Sequence, residues 1–239
     1  MNKNSTIYVA GAHGMVGSAI CKSLKQKGFN KILTPSSIEL DLISQIDVKN
    51  FFESNKIDYV FLAAAKVGGI KENSSKKAEF IYENLQIQSN IIHHAYLNKV
   101  KKLLFLGSSC IYPKNSIIPI KEENLLRGDL EKTNDAYAVA KIAGIQMCKS
   151  YREQYGFNAI SVMPTNLYGP NDNFDQDSSH VLPALINKFF QAKKLQNSEV
   201  VCWGTGKPLR EFLFVEDLAD GLLFLMDNYD ESEHINIGS

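Results

Sequence analysis

Short apolar runs alternate with longer segments of helical period along the first 165 residues of the chain. TIYVA (6–10) precedes a helix-like stretch over 15–27, KILT (31–34) one around 48–53, and YVFLAAA (59–65) a long one over 76–98. KLLFLGSS (102–109) then leads into a helical segment over 136–155, and NAISVMP (158–164) closes the series. The short runs are apolar almost throughout rather than alternating, so both of their faces must be covered, which predicts parallel strands joined by crossover helices. The fold class that follows is α/β, a Rossmann-like doubly wound parallel sheet.

Beyond Pro164 the pattern loosens. A polar loop, NLYGPNDNFDQDSSH (166–180), is followed by a helix over 181–194, a strand VVCW (200–203), the segment LREFLFV (209–215), a helix over 216–226 and a last strand in HINIGS (234–239). This predicts a nucleotide-binding domain over 1–165 and a smaller, incomplete substrate-binding region over 166–239, with segments returning to the main sheet.

Composition acts mainly by exclusion. The 26 basic and 26 acidic side chains cancel, so the chain lacks the net positive charge of a protein that lives on nucleic acid or an anionic membrane. No apolar stretch approaches the ~20 residues of a membrane span, and the N-terminus enters a strand pattern without a signal-like segment. No nucleic-acid partner, no membrane partner and a cytoplasmic location are the expectations. Cys21, Cys110, Cys148 and Cys202 are scattered and form no CxxC, so neither a metal site nor a disulfide framework is expected.

Two constellations carry chemistry. Gly11, Gly14 and Gly17 lie between the first strand and the first helix, where a pyrophosphate can meet backbone N–H groups at a helix N-terminus. The end of the second strand, which distinguishes NAD from NADP, reads Thr34-Pro35-Ser36-Ser37 and offers neither acid nor base, leaving that choice open. Further on, Asp41 and Leu42 either flank an adenine or form an ordinary turn. The second constellation is Tyr137 and Lys141, four apart on one helix face, with Ser108 at the C-terminal end of a strand. A phenol with a pKa near 10 is a poor catalyst at neutrality, and a neighbouring ammonium is expected to lower it. The serine hydroxyl can bond the carbonyl oxygen that the tyrosine protonates.

Together with LGSSCIYPK (106–114), AYAVAKIAG (136–144) and MPTNLYGP (163–170), these motifs resemble the extended short-chain dehydrogenase/reductase family and, more closely, its GDP-L-fucose synthase branch. The resemblance implies NADP(H) as cofactor, a GDP-4-keto-6-deoxy sugar as substrate and a homodimer built on the helices over 76–98 and 136–155. It implies an acid-base pair at Cys110 and His180 that epimerises C3 and C5 before C4 is reduced. It also places His13, Met15, Val16, Ala64, Pro164, Asn166, Leu167 and His180 with the cofactor-binding residues, beside the glycines, Asp41, Leu42, Tyr137 and Lys141. Asn166, Lys188, Trp203 and Arg210 match positions that contact the nucleotide-sugar, with Lys188 standing where the family commonly has arginine. His13 and the Ser36/Ser37 pair likewise replace arginines that help bind the NADP phosphates, so NAD(H) remains open. Further substrate-domain elements are expected beyond HINIGS. The alternatives are a C4 reductase of a related GDP-4-keto-6-deoxy sugar, such as a deoxy-heptose or colitose precursor, and a non-catalytic nucleotide-binding protein.

Overall fold

A computed structural model of the chain describes residues 1–175, 179–202, 204–207 and 209–239. Five strands, β1 (Ile7–Ala10), β2 (Ile32–Leu33), β3 (Tyr59–Leu62), β4 (Lys102–Leu106) and β5 (Ala159–Pro164), form one parallel sheet with a strand from near the far end of the sequence, β8 (Ile235–Ile237). Its order is β2-β1-β3-β4-β5-β8. The reversal of direction at β1 and β3 opens a crevice at the carboxyl ends of the strands, where open α/β sheets place ligands.

The sheet is buried on both faces because each strand sends alternate residues to two separate cores. Ile7, Val9, Phe61, Leu104, Leu106, Ile160 and Val162 join the core under α1 (Met15–Gln26) and α7 (Val215–Asn228). The intervening Tyr8, Ala10, Val60, Leu62, Leu103, Phe105, Ala159 and Met163 join the core under α2 (Gln45–Ser54), α4 (Lys77–Leu97) and α5 (Asp135–Tyr155). Each large side chain removed from water in this way contributes about 1.5–3 kcal/mol. Lys102 is a buried exception: its ammonium donates to the carbonyls of Met226 and Tyr229, each at 2.7 Å, and of Leu225 at 3.3 Å. It thereby satisfies the C-terminal end of α7, where a cation is favoured, and joins that helix to β4.

Past β5 the fold differs in two places from the sequence-based expectation. No strand forms over 200–202, where Val201 is largely exposed and its carbonyl accepts from Lys188 at 3.4 Å; residue 203 lies outside the described residues. Instead β6 (Asn166–Tyr168), inside the expected loop, pairs in parallel with β7 (Phe212–Phe214). A short helix, α3 (Ile70–Ser75), precedes α4, and α6 (Val181–Lys194) has the expected bounds.

Candidate active site

The site is assembled where β4 ends and α5 begins. After Leu106 the chain passes through Gly107 to Ser108, which caps a single 3-10 turn, Ser109–Ile111; its Oγ accepts from the Cys110 N–H at 3.3 Å. Tyr137 sits in the first turn of α5 and Lys141 one turn later, on the same face. Lys141 is 3% exposed, and its Nζ donates to the Leu106 carbonyl at 2.8 Å while lying 4.9 Å from the Phe105 ring centre and 5.7 Å from that of Tyr137. One side chain thus pins the helix bearing the phenol to the strand end bearing Ser108. Close packing makes this possible: a Cβ at Gly144 would lie 2.3 Å from Phe105 Cζ.

Burial sets the protonation states. The Lys141 ammonium is pulled down to about 8 by desolvation, against the raising influence of the Cys110 thiol. Part of the Tyr137 residue is exposed, yet desolvation, reinforced by Cys110, holds its phenol above the usual range. The sequence-based expectation of a lowered phenol pKa is therefore reversed here, since desolvation dominates and the Lys141 ammonium is directed to a carbonyl. A phenol that keeps its proton suits a donor. The Cys110 thiol is also raised by burial, and the Ser108 hydroxyl and Lys141 partly oppose this.

The glycine loop fits a dinucleotide. Gly11 adopts φ +82°, a region that favours glycine, and a Cβ there would lie 2.8 Å from the Ala64 backbone. A Cβ on Gly17 would lie 2.0 Å from the Gly11 carbonyl oxygen. Gly14 caps α1 without a side chain, and no acid occupies the first turn, so the N–H groups of Met15, Val16 and Gly17 point at an end of the helix that favours an anion. His13 Nε2 lies 3.1 Å from the Thr34 carbonyl. Sequence reasoning found no acid at this strand end, but folding supplies Glu39: it accepts from Ser36 N–H at 2.8 Å, and that bond together with His13 holds its carboxyl below the usual range. A carboxylate there would oppose the 2′-phosphate of a bound NADP. Glu39→Gln is expected to raise the preference for NADPH over NADH about threefold at low salt, read from paired fluorescence titrations; an unchanged ratio would place Glu39 outside the ribose site.

The remaining residues are more dispersed. Asp41 uses its carboxylate to accept from Ile43 N–H at 2.9 Å, and the Leu42 carbonyl accepts from Asn90 at 2.9 Å. Pro164 ends β5, Asn166 and Leu167 open β6, and the Asn166 amide donates to the Glu211 carbonyl at 3.0 Å. His180 caps α6 with Asp172 nearby, and it is not among the groups that shift the Cys110 thiol. Arg210 is exposed and its guanidinium donates to the Leu209 carbonyl at 2.7 Å, while Trp203 lies outside the described residues. Two residues passed over in the sequence support the site. Asn84 grips both the N–H and the carbonyl of Lys66, each at 3.0 Å, and Gln88 donates to the Ala140 carbonyl at 2.6 Å, between Tyr137 and Lys141. Their signal was polar residues on the buried stripe of α4.

Known proteins share this arrangement over nearly the whole chain. The model of the NAD dependent epimerase/dehydratase family matches residues 7–238. The chain is 58% identical over 238 residues to GDP-L-fucose synthase 1 of Arabidopsis thaliana, covering 100% of this chain and 74% of that protein. It is 50% identical over 242 residues to GDP-L-fucose synthase of Escherichia coli strain K12, covering 98% of this chain and 75% of that protein. A solved structure of a GDP-L-fucose synthetase from Naegleria fowleri bound to NADP superposes with a TM-score of 0.91 at 35% identity, covering 100% of this chain and 78% of that one. On these grounds the chain belongs to the NAD dependent epimerase/dehydratase family.

Proposed function

We propose that the chain converts GDP-4-keto-6-deoxy-D-mannose to GDP-L-fucose, epimerising C3 and C5 before reducing C4 with NADP(H). The observation that carries this reading is the meeting of Ser108, Cys110, Tyr137 and Lys141 at one strand end, with Lys141 bonded to the Leu106 carbonyl. The Gly11, Gly14 and Gly17 loop, with His13, Met15, Val16 and Ala64, would hold the cofactor, which supplies a hydride when bound. Asn166, Lys188, Trp203 and Arg210 would contact the GDP-sugar, Lys188 and Arg210 by charge.

A 4-ketone acidifies the protons on both neighbouring carbons. Cys110 and His180 remove and return those protons, and hydrogen bonds from Ser108 and Tyr137 stabilise the negative charge that collects on the C4 oxygen. In the second stage Tyr137 gives its phenolic proton to that oxygen, and Lys141 fixes the helix that aims the phenol. The enzyme acts in the cytoplasm as a homodimer through α4 and α5, whose surfaces expose Tyr82, Val139 and Tyr155. No helix among the described residues is long and apolar enough to cross a membrane.

The test separates the two stages. In D2O, Cys110→Ser is expected to slow exchange at C3 and C5 by about a hundredfold, while a pre-epimerised ketone is still reduced at a rate within about threefold of wild type. Exchange followed by proton NMR that survives in both Cys110→Ser and His180→Gln would sink the assignment. Parallel incubations with a GDP-4-keto-6-deoxy-heptose distinguish a reductase of a related sugar.

A further inference from the structure

Three polar side chains that the reaction does not use meet beside the turn that carries Ser108 and Cys110. Tyr112 ends that turn, and its hydroxyl lies 3.1 Å from His234 Nε2 and donates to Asn236 Oδ1. Tyr112 and His234 are each only 5% exposed. The directions of these bonds follow from counting protons. The Asn236 amide nitrogen donates to the Ile120 carbonyl at 3.2 Å, so its oxygen is the acceptor facing Tyr112. The single phenolic proton goes to that oxygen, so His234 Nε2 must carry a proton and donate to Tyr112. Burial, opposed by Glu122 and Glu233, lowers the imidazole pKa and favours the neutral ring, and the bond to Tyr112 selects its Nε2–H tautomer. The relay therefore runs from His234 through Tyr112 to Asn236 and on to Ile120, while the Asn236 backbone N–H donates to Glu122 at 2.8 Å.

Ile111 and Tyr112 anchor the turn in the core, but its backbone bonds are weak. Its own backbone bonds, Ile111 N–H to Ser108 and Tyr112 N–H to Ser109, are both 3.3 Å, longer than the usual 2.9–3.0 Å. The relay instead fastens the end of the turn across β5 to β8, two places away in the sheet. It also fastens the segment at Ile120 and Glu122, on the way from this turn to α5. A phenylalanine would fill nearly the same volume as Tyr112, so packing alone does not account for the hydroxyl and its two partners.

We propose that Tyr112, His234 and Asn236 are positioning residues that fix the orientation of Ser108 and Cys110. This rests on the roles given to those two residues above. The test compares Tyr112→Phe, His234→Leu and His234→Gln, the last keeping an N–H donor for Tyr112. The first two are expected to lower kcat about tenfold with KM for the GDP-sugar within about twofold, and His234→Gln to recover most of that loss. Alkylation of Cys110 by iodoacetamide, resolved by peptide mass spectrometry, is expected to change about threefold or more in the first two variants while exposed Cys202 reacts as before. Unchanged kcat and unchanged Cys110 alkylation in Tyr112→Phe would overturn the proposal, as would a His234→Gln variant no better than His234→Leu. If Tyr112→Phe does not fold, the two His234 variants decide. If wild type does not turn over the GDP-sugar, the functional reading fails, and the Cys110 alkylation rates still decide the positioning role.

Discussion

Tyr137→Phe is expected to lower C4 reduction by about a thousandfold while leaving NADPH affinity within about threefold. The substitution removes one oxygen and keeps the ring, whose edge-to-face contact with Phe80 at 6.4 Å and position 5.7 Å from Lys141 Nζ need no hydroxyl. The fold and the cofactor loop should therefore be undisturbed. What is lost is the proton that burial keeps on the phenol until the C4 oxygen becomes basic enough to take it. Ser108 remains as a hydrogen-bond donor, so the residual rate should exceed that of solution. Single-turnover measurement of NADPH fluorescence on a pre-epimerised ketone reads the step directly, and a loss smaller than tenfold would remove Tyr137 from the proton-donor role.

Gly17→Ala should be the most damaging single-methyl change in the cofactor loop. The new Cβ would lie 2.0 Å from the Gly11 oxygen, 2.6 Å from its carbon and 2.7 Å from the Ala12 Cα, all backbone atoms that no rotamer change can move. Relief requires the loop and α1 to separate. That costs about 3 kcal/mol, or a Tm lower by roughly 6–12 °C in a chain of this size, and displaces the N–H groups aimed at the cofactor. NADPH affinity should fall more than about tenfold. Gly14→Ala is the control: its Cβ would meet nothing closer than 3.5 Å, so Tm should hold within about 3 °C while affinity falls if a phosphate approaches that backbone. Equal Tm for the Gly17→Ala and wild-type proteins by differential scanning fluorimetry would refute the clash.

The main sheet was readable because strands covered on both faces leave continuous apolar runs, such as YVFL at 59–62 and LLFL at 103–106. Within α5, the one-turn separation of Tyr137 and Lys141 follows from local geometry, and the carboxyl end of β4 is where an open sheet points a residue such as Ser108. The errors arise where local composition and tertiary context part. VVCW has the β-branched composition of a strand, but its residues 200–202 pair with no strand among the described residues, whereas NLY pairs with β7 despite the Gly-Pro-Asn turn beside it. Glu39 escaped notice because its approach to Ser36 and His13 depends on how the chain turns after β2. The reversed phenol shift was beyond sequence reading as well, since spacing shows proximity to an ammonium but not desolvation. The union of Tyr112 with His234 spans 122 residues and leaves no periodic signature at all.

That same separation imposes an order in time. At roughly 5–20 residues per second of synthesis, His234 leaves the ribosome about 6–24 s after Tyr112. From the emergence of β5 until β8 follows, the nascent chain holds β1 to β5 and α5 but has no strand to pair with β5 on its outer side. The edge of β5 and the phenol of Tyr112 are both without their native partners until β8 arrives. During synthesis, then, the open edge of β5 is the part of the main sheet that waits longest for its neighbour, and it is the surface a chaperone would meet.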